Sequence, residues 1–360
     1  MNSVRLTNQV TTLAIEAPYG DSGSLAYVGA SLVRALDEEG YAPIAVPTPG
    51  LDPCSAPAAV LRALDRHRAL RRQRRLLVDR SLRYGLHHRG DTVHARSRAA
   101  LIYWDSDRMP AEFARHLASF DELFGVSTFV ADVMHQATGR PVGVLHHGIW
   151  PDACPYVPPP SAGPFTFLHL GQVDDRKATD LLMRAFIAAF VPGTDVRLVI
   201  KCGSSQLPTA RQWHHEHGDD DLRIAIVANH VDRPALSSFF HRAHAVVLPS
   251  RCEGFGLVGL EALAHGRHLI AHGFSGPLDY LDPVDCTIVP SSRAIPAPLY
   301  PGHAREPDFD ALVSALRQVA GERDTTAHQG LAARARVLPE WSWRHRVRAW
   351  ATPWVPGAAT

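Results

Sequence analysis

The sequence predicts an α/β protein made of two Rossmann-like domains, and three observations carry that reading. The chain has 360 residues, more than one domain usually takes. Short apolar runs alternate with helix-period stretches along its whole length. A proline-rich segment with neither period, residues 151–164 (PDACPYVPPPSAGP), separates the two alternating halves. The expected division is a first domain over 1–150, a linker over 151–164, a second domain over 165–338, and a closing helix over 339–360 that packs back on the first domain. Two parallel sheets are expected to face each other across the cleft between the domains.

Composition narrows the function. A formal net charge of +1 argues against nucleic acid as the main partner. Hydrophobic residues at 46% and charged residues at 20% are ordinary globular values, so a packed soluble core is expected. The five cysteines (Cys54, Cys154, Cys202, Cys252, Cys286) stand singly, which fits a reducing compartment and gives no zinc signature. The first ten residues are polar, with no apolar signal core, and no run of about 18 apolar residues follows. A cytoplasmic protein is the expectation. Abundant arginine, alanine, proline and histidine beside rare lysine suggest a GC-rich bacterial genome.

In the first half, residues 11–17 (TTLAIEA) read as a strand, and a glycine-bearing turn with Gly20, Asp21 and Gly23 follows it. A helix runs to Leu36, and residues 41–46 form the next strand. The turn lacks the G-x-G-x-x-G spacing, and no acidic residue ends the second strand, so a nicotinamide cofactor is disfavoured. Gly20 and Gly23 instead let the backbone approach a ligand. Residues 61–83 carry nine arginines, Arg62 to Arg83, against two aspartates, with leucines at rough helical spacing. This reads as a surface helix whose Arg66–Arg83 face offers peripheral contact to an anionic membrane. Residues 91–97, with His94, read as a polar strand end, and residues 99–104 as a separate strand ending on Trp104. Asp105 and Asp107 then sit in a loop past a strand end, where open α/β sheets bind ligands. With Asp21, His94 and Trp104 they are candidates for the second substrate, a helix cap being the plainer reading of Asp107.

The second half repeats the alternation. A strand over 165–170 leads into Gly171, Gln172, Arg176 and Lys177, and a helix over 179–190 follows. Two cations between a strand and a helix suit a diphosphate, arginine as a fork and lysine as a point charge. The apolar run 245–248 leads into Pro249-Ser250-Arg251-Cys252-Glu253-Gly254-Phe255-Gly256-Leu257, and a helical pattern carries Glu261. A helix starting at this glycine loop turns unpaired amides and its positive dipole end toward the loop, which makes an anion site. Carboxylates beside a phosphate cradle accept hydroxyls rather than hold phosphate. A ribose, a diphosphate and a hexose in series have that layout. Taken alone, the two glutamates read more plainly as a helix-cap neighbour and a solvated helix residue than as ligand groups.

With its neighbours the pattern E-G-F-G-L-V-G-L-E resembles the E-x7-E signature of the retaining GT-B glycosyltransferases of family 4. Gly171 to Lys177 with Asp180, Leu181, Leu182, Ala185 and Phe186 resembles that family's R-K-G-x-D-x-L-x-x-A-F segment. Residues 104–110 (WDSDRMP) resemble the W-E-T-D-R-L-P segment of one branch, with Phe120-Asp121 and Ser127-Thr128-Phe129 as its continuation. His147-Gly148-Ile149 and Trp341-Ser342-Trp343 match later landmarks. The resemblance spans roughly residues 13–350. It implies a metal-independent, retaining transferase using a UDP- or GDP-linked hexose and no cofactor. It implies that Glu253 bonds the donor sugar while the Gly254, Phe255, Gly256 and Leu257 backbone receives hydroxyls and phosphate. Glu261 then holds the ribose, and Lys177 with Arg176 the diphosphate, so Glu253, Lys177 and Arg176 are the expected catalytic set. Gln172 and Ala178 depart from the pattern, which often has arginine and glycine there.

The acceptor is open between a small aminocyclitol of antibiotic type, met by Asp21, Asp105 and Asp107, and a cell-envelope or polysaccharide glycan reached at a membrane. A non-catalytic nucleotide-sugar-binding protein is the reading from another class. Only Gln172 favours it.

Overall fold

The computed structural model describes residues 11–19, 23–47, 58–72, 77–85 and 93–354. The chain divides into two compact units, one drawn from Met1–Tyr103, Ala111–Gly148 and Trp343–Thr360, the other from Trp104–Pro110 and Ile149–Ser342.

The first unit alternates strand and helix. It runs β1 (Leu13–Ala17), α1 (Ser24–Glu38), β2 (Ile44–Pro47), α2 (Ala58–Arg72), β3 (Leu77–Tyr84), β4 (His94–Ile102), α3 (Ala111–Leu117), β5 (Glu122–Gly125), α4 (Thr128–Thr138) and β6 (Gly143–Val144). The strands form one sheet in the order β2-β1-β3-β4-β5-β6, every pair parallel. Parallel strands are covered on both faces, which is why β1 is buried throughout, Leu13, Ala14, Ile15 and Ala17 with the single charged residue Glu16. Ser127 caps α4 by accepting from the Val130 amide, and Gly139 ends that helix in the left-handed region.

Two expectations are corrected here. Residues 61–83 are not one basic helix: α2 is followed by β3, a central strand. Its charges are tolerated because they are paired. Arg83 meets Glu16 at 2.7 Å inside the sheet, and Arg80 meets Glu122 at 2.8 Å. On α2, Arg62 and Arg66 both bind Asp37 at 2.7 Å. The Arg66–Arg83 face proposed for a membrane therefore does not form as a helical surface; Arg74 and Arg75 lie outside the described residues. The second correction concerns residues 91–104. His94 and the following polar residues belong to the same strand as Ala99–Ile102, exposed at the start of β4 and buried at its end.

The second unit runs β7 (Phe165–Leu170), α5 (Thr179–Ala189), β8 (Val196–Cys202), α6 (Leu207–Gly218), β9 (Ile224–Ala228), α7 (Arg233–Arg242), β10 (Ala245–Leu248), α8 (Leu257–Ala264), β11 (His268–His272) and β12 (Cys286–Val289). A hairpin of β13 (Ser291–Pro296) and β14 (His303–Pro307) follows, then α9 (Phe309–Gly321) and α10 (Arg323–Glu340). The sheet order is β12-β11-β10-β7-β8-β9, all parallel. Counted within the unit this is the doubly wound order 3-2-1-4-5-6, whose direction reverses between β7 and β10. Phe165, Phe167, Phe186 and Phe190 pack through its core in tilted and edge-on pairs.

The last helix, α11 (Trp343–Trp354), belongs to the first unit and packs on α1. Arg344 and Arg348 bind Glu39 at 3.0 and 2.7 Å, and Trp354 donates to Glu122 at 2.8 Å. No described helix is long and apolar enough to cross a membrane.

Candidate active site

The reversal point of the second sheet is where ligands bind in such folds, outside the carboxyl ends of the strands. Two loops leave it there, residues 171–178 after β7 and residues 249–256 after β10. Both feed helices whose N termini no side chain caps. Gly256 reaches α8 at φ 79°, a left-handed conformation that glycine adopts without strain. Ala178 takes the same region at φ 53° before α5, although it carries a Cβ. Two amide ends without a side-chain cap from their N-cap residues therefore lie at the reversal point.

The charged side chains of the loops pair with one another. Glu253, only 6% exposed, binds Arg176 Nη1 at 3.0 Å through Oε2 and the Lys177 ammonium through Oε1. Burial would raise the Glu253 carboxyl, but Lys177 and Arg176 overcome it and hold it at about 2. Glu253 is therefore a permanent anion at neutral pH. Arg176 is buried, and Glu253 and Asp105 outweigh that burial, driving it further into its charged form.

The backbone around Glu253 is fixed from behind. Its amide donates to Ser275 Oγ at 2.9 Å, and its carbonyl accepts from the Gly276 amide at 3.0 Å. Ser275 holds φ 61° and ψ −148°, a region almost reserved for glycine. Gly276 packs so closely that a Cβ there would stand 2.2 Å from the Gly254 carbonyl oxygen. Arg251 anchors the same loop: it binds Asp180 of α5 at 3.0 Å and Glu306 of β14 at 2.7 Å, and its amide donates to the Arg176 carbonyl at 2.8 Å. His169 ties β7 to β10 and α5 through the Val247 carbonyl and Thr179 hydroxyl, and burial lowers it to about 4, so it stays neutral.

The structure brings Glu253, Arg176, Lys177, Gly171, Gly254, Phe255, Gly256 and Leu257 together. The Phe255 ring turns away to pack on Tyr280 and Trp341, so this residue offers a ligand its backbone only. Gln172 is exposed beside Gly171, whose φ of 152° brings the loop back over the Lys177 side chain. Glu261, buried on α8, binds Arg233 at the start of α7, a partner that sequence reading missed.

The expected acceptor residues scatter. Asp105 lies with the two glycine loops of the second unit: its Oδ1 accepts from the Gly254 amide at 2.6 Å and its Oδ2 stands 3.7 Å from Arg176. Trp104 is fully buried, donating to the Arg108 carbonyl at 2.9 Å and stacking on Tyr300 at 4.2 Å, so its role is structural. Asp107 is spent on the hairpin, accepting from the His303 amide at 2.6 Å. His94 is corrected outright, because it opens β4 at the amino end, opposite to where a parallel sheet presents ligands. Gly23 is the N-cap of α1, while Gly20 and Asp21 lie outside the described residues. Arg251, Ser275 and Tyr300 were not foreseen. Only the left-handed demand at residue 275 leaves a trace in sequence, in the glycines that flank it at 273 and 276. Among the described residues no group of histidine, cysteine, aspartate and glutamate is arranged to hold a metal ion.

Two parallel doubly wound units, with a charged, amide-rich site at the reversal point of one, define a GT-B glycosyltransferase architecture. Residues 125–349 match the profile of the family described as "Family 4 Glycosyltransferase in conflict systems", and the chain belongs to it. A D-inositol 3-phosphate glycosyltransferase of Mycolicibacterium paratuberculosis is 29% identical over 73% of this chain and 59% of its own length. A glycogen synthase of Mycobacterium tuberculosis is 27% identical over 56% of this chain and 45% of its own. The chain thus spans about six-tenths or less of these curated relatives. Among solved structures, sucrose-phosphate synthase from Thermosynechococcus elongatus superposes with a TM-score of 0.70 at 16% identity, covering 96% of this chain and 98% of that one. Alr3699/HepE of Anabaena, solved with UDP and glucose, superposes at 0.66 and 13% identity over 96% and 99%. These likenesses carry the two-domain GT-B fold.

Proposed function

We propose that this chain transfers a hexose-type sugar from a nucleoside diphosphate to a hydroxyl acceptor, with retention at the anomeric carbon. The observation that supports it most is Glu253 held between Lys177 and Arg176 at two uncapped helix ends. On this reading the diphosphate takes over the two cations, and Glu253 then bonds hydroxyls of the transferred sugar. Glu261 exchanges Arg233 for the ribose diol. As the bond from the anomeric carbon to the phosphate oxygen breaks, charge grows on the leaving diphosphate. Lys177, Arg176 and the helix amides stand ready to meet it without a metal ion. The acceptor hydroxyl enters on the same face and yields its proton to the departing phosphate oxygen.

The neighbours solved with UDP and with UDP-glucose support a uridine or related donor. Relatives named for D-inositol 3-phosphate support a small cyclitol, or an aminocyclitol, as acceptor. With Asp107 engaged by the hairpin, little in this unit is left to favour a cationic acceptor over a neutral one. A cytoplasmic site of action fits the soluble composition.

The test is to incubate the protein with UDP-glucose, GDP-mannose and ADP-glucose and to follow release of the nucleoside diphosphate, without acceptor and with inositol phosphates. One donor should be consumed by the native protein and at least a hundredfold more slowly by Glu253→Ala. Equal turnover by the variant removes Glu253 from the reaction.

A further inference from the structure

We propose that Asp105 is an internal ligand of the donor site, seated on the Gly254 amide until a sugar nucleotide displaces it. This rests on the reading of the site as a nucleotide-sugar site, and it assigns a donor-competing role to a residue outside both donor loops.

Two donors converge on the Asp105 carboxylate. The Gly254 amide gives it a 2.6 Å hydrogen bond. The second is the Arg176 guanidinium, at ion-pair rather than hydrogen-bond distance: Arg176 is more than nine-tenths buried, its Nε has no hydrogen-bond acceptor among the described residues, and Asp105 Oδ2 lies 3.7 Å from it. A backbone amide of a glycine loop beside a buried guanidinium is an anion cradle, and here the occupant is the protein's own carboxylate. The approach is built in. A Cβ on Gly254 would stand 3.1 Å from the Trp104 amide nitrogen and 3.3 Å from its carbonyl oxygen, so glycine lets the loop carrying Asp105 come this close.

Charge balance makes the occupancy exclusive. Asp105, Glu253, Arg176 and Lys177 together carry no net charge. Seating a diphosphate on the two cations with both carboxylates in place would crowd like charges in a dry site. Glu253 keeps a place in the filled site by passing from the cations to the sugar hydroxyls, whereas Asp105 is held by one amide and a long ion pair. Burial already raises the Asp105 carboxyl above its ordinary range, Arg176 opposing that and Glu253 adding to it.

The neighbours of Asp105 fix how it can leave. Trp104 is locked by its bond to the Arg108 carbonyl and its stack on Tyr300. Ser106 donates to the Pro301 carbonyl at 2.7 Å, and Asp107 is bound by the His303 amide. The loop is clasped on both sides of Asp105 by the tip of the β13–β14 hairpin. Displacement is therefore a rotation of one side chain about its own bonds, with the loop backbone staying in place.

Calorimetric titration of UDP-glucose, GDP-mannose and ADP-glucose into the native protein, Asp105→Asn and Asp105→Ala tests this. Removing the competitor should tighten the donor that the native protein binds by about tenfold in Asp105→Ala, the scale of one charge-assisted hydrogen bond. Asp105→Asn keeps an acceptor oxygen without the charge and should fall between. It also serves as the reporting variant if the alanine protein does not fold. A donor bound by the native protein and bound equally or more weakly by both variants overturns the role of Asp105 alone. Failure of every donor to bind native protein and variants alike overturns the reading of the site on which the role depends.

Discussion

Glu253 Oε2 lies 3.0 Å from Arg176 Nη1 while Lys177 takes its other oxygen, so one carboxylate is shared between both cations of the site. In the empty protein Glu253 occupies the place of the diphosphate's counter-charge. Glu253→Gln should therefore split binding from turnover. Nucleoside diphosphate affinity should hold or rise, because the cations are released, while donor consumption falls about a hundredfold or more. Titration with UDP and GDP alongside a turnover assay reads both; a parallel loss of affinity and rate would contradict the assignment.

The same pairing makes stability depend on acid. The ordinary glutamate value is 4.5, and in the fold Lys177 and Arg176 hold Glu253 at about 2 against burial. A depressed carboxyl contributes stability in full above the unfolded value and loses it as pH falls from about 4.5 toward 2. Linkage puts that loss at about 3 kcal/mol. Asp105, shifted upward, acts in the opposite sense, so the comparison must be with Glu253→Gln. Urea unfolding between pH 6 and 3 should show a shallower acid decline for that variant than for native protein. Identical declines would mean that the pair does not form.

Arg251, itself buried, joins the half-buried Asp180 and Glu306 in a triad behind the glycine loop. Arg251→Leu keeps bulk but strands two carboxylates, so a destabilisation of about 3–5 kcal/mol is expected. Asp180 is half-buried, yet Arg251 outweighs that burial and lowers its carboxyl from the ordinary 3.8, so the defect should shrink only as pH falls below about 4 and the native pairing is lost. Thermal melts at pH 7 and pH 3 measure it, and a pH-independent loss would point to packing instead.

Ser275 combines a strained backbone with a bond from the Glu253 amide. Ser275→Gly loses the bond and relieves the strain; Ser275→Ala loses the bond and keeps the strain. The glycine variant should be the more stable of the two by about 1–2 kcal/mol, against the usual penalty for glycine. Chemical denaturation of the pair gives the difference directly. Alanine equal to or better than glycine would show that residue 275 is unstrained.

Much of the second unit is legible in the sequence, because apolar runs such as 165–170 and 245–248 are buried on both faces and end at glycine loops. β3 is illegible for an equally physical reason. Its Arg80 and Arg83 satisfy their charge on Glu122 and Glu16, far away in sequence, so a central strand reads as a basic surface. The β13–β14 hairpin carries no clear period and was missed, and with it the clasp on Ser106 and Asp107. Glu253, Lys177 and Glu261 could be picked out because their residue types and spacing are local. Arg233 on Glu261, Arg251 on Glu306 and Asp105 on Gly254 are pairings that only the fold creates.

The central claim is that the reversal point between β7 and β10 binds a nucleoside diphosphate sugar through Lys177 and its loop. Titration of UDP-glucose, GDP-mannose and ADP-glucose into native protein and Lys177→Ala tests it most directly. The account predicts saturable binding of at least one donor by the native protein, weakened about tenfold or more in the variant. Binding of equal strength by both proteins, or by neither, would contradict it.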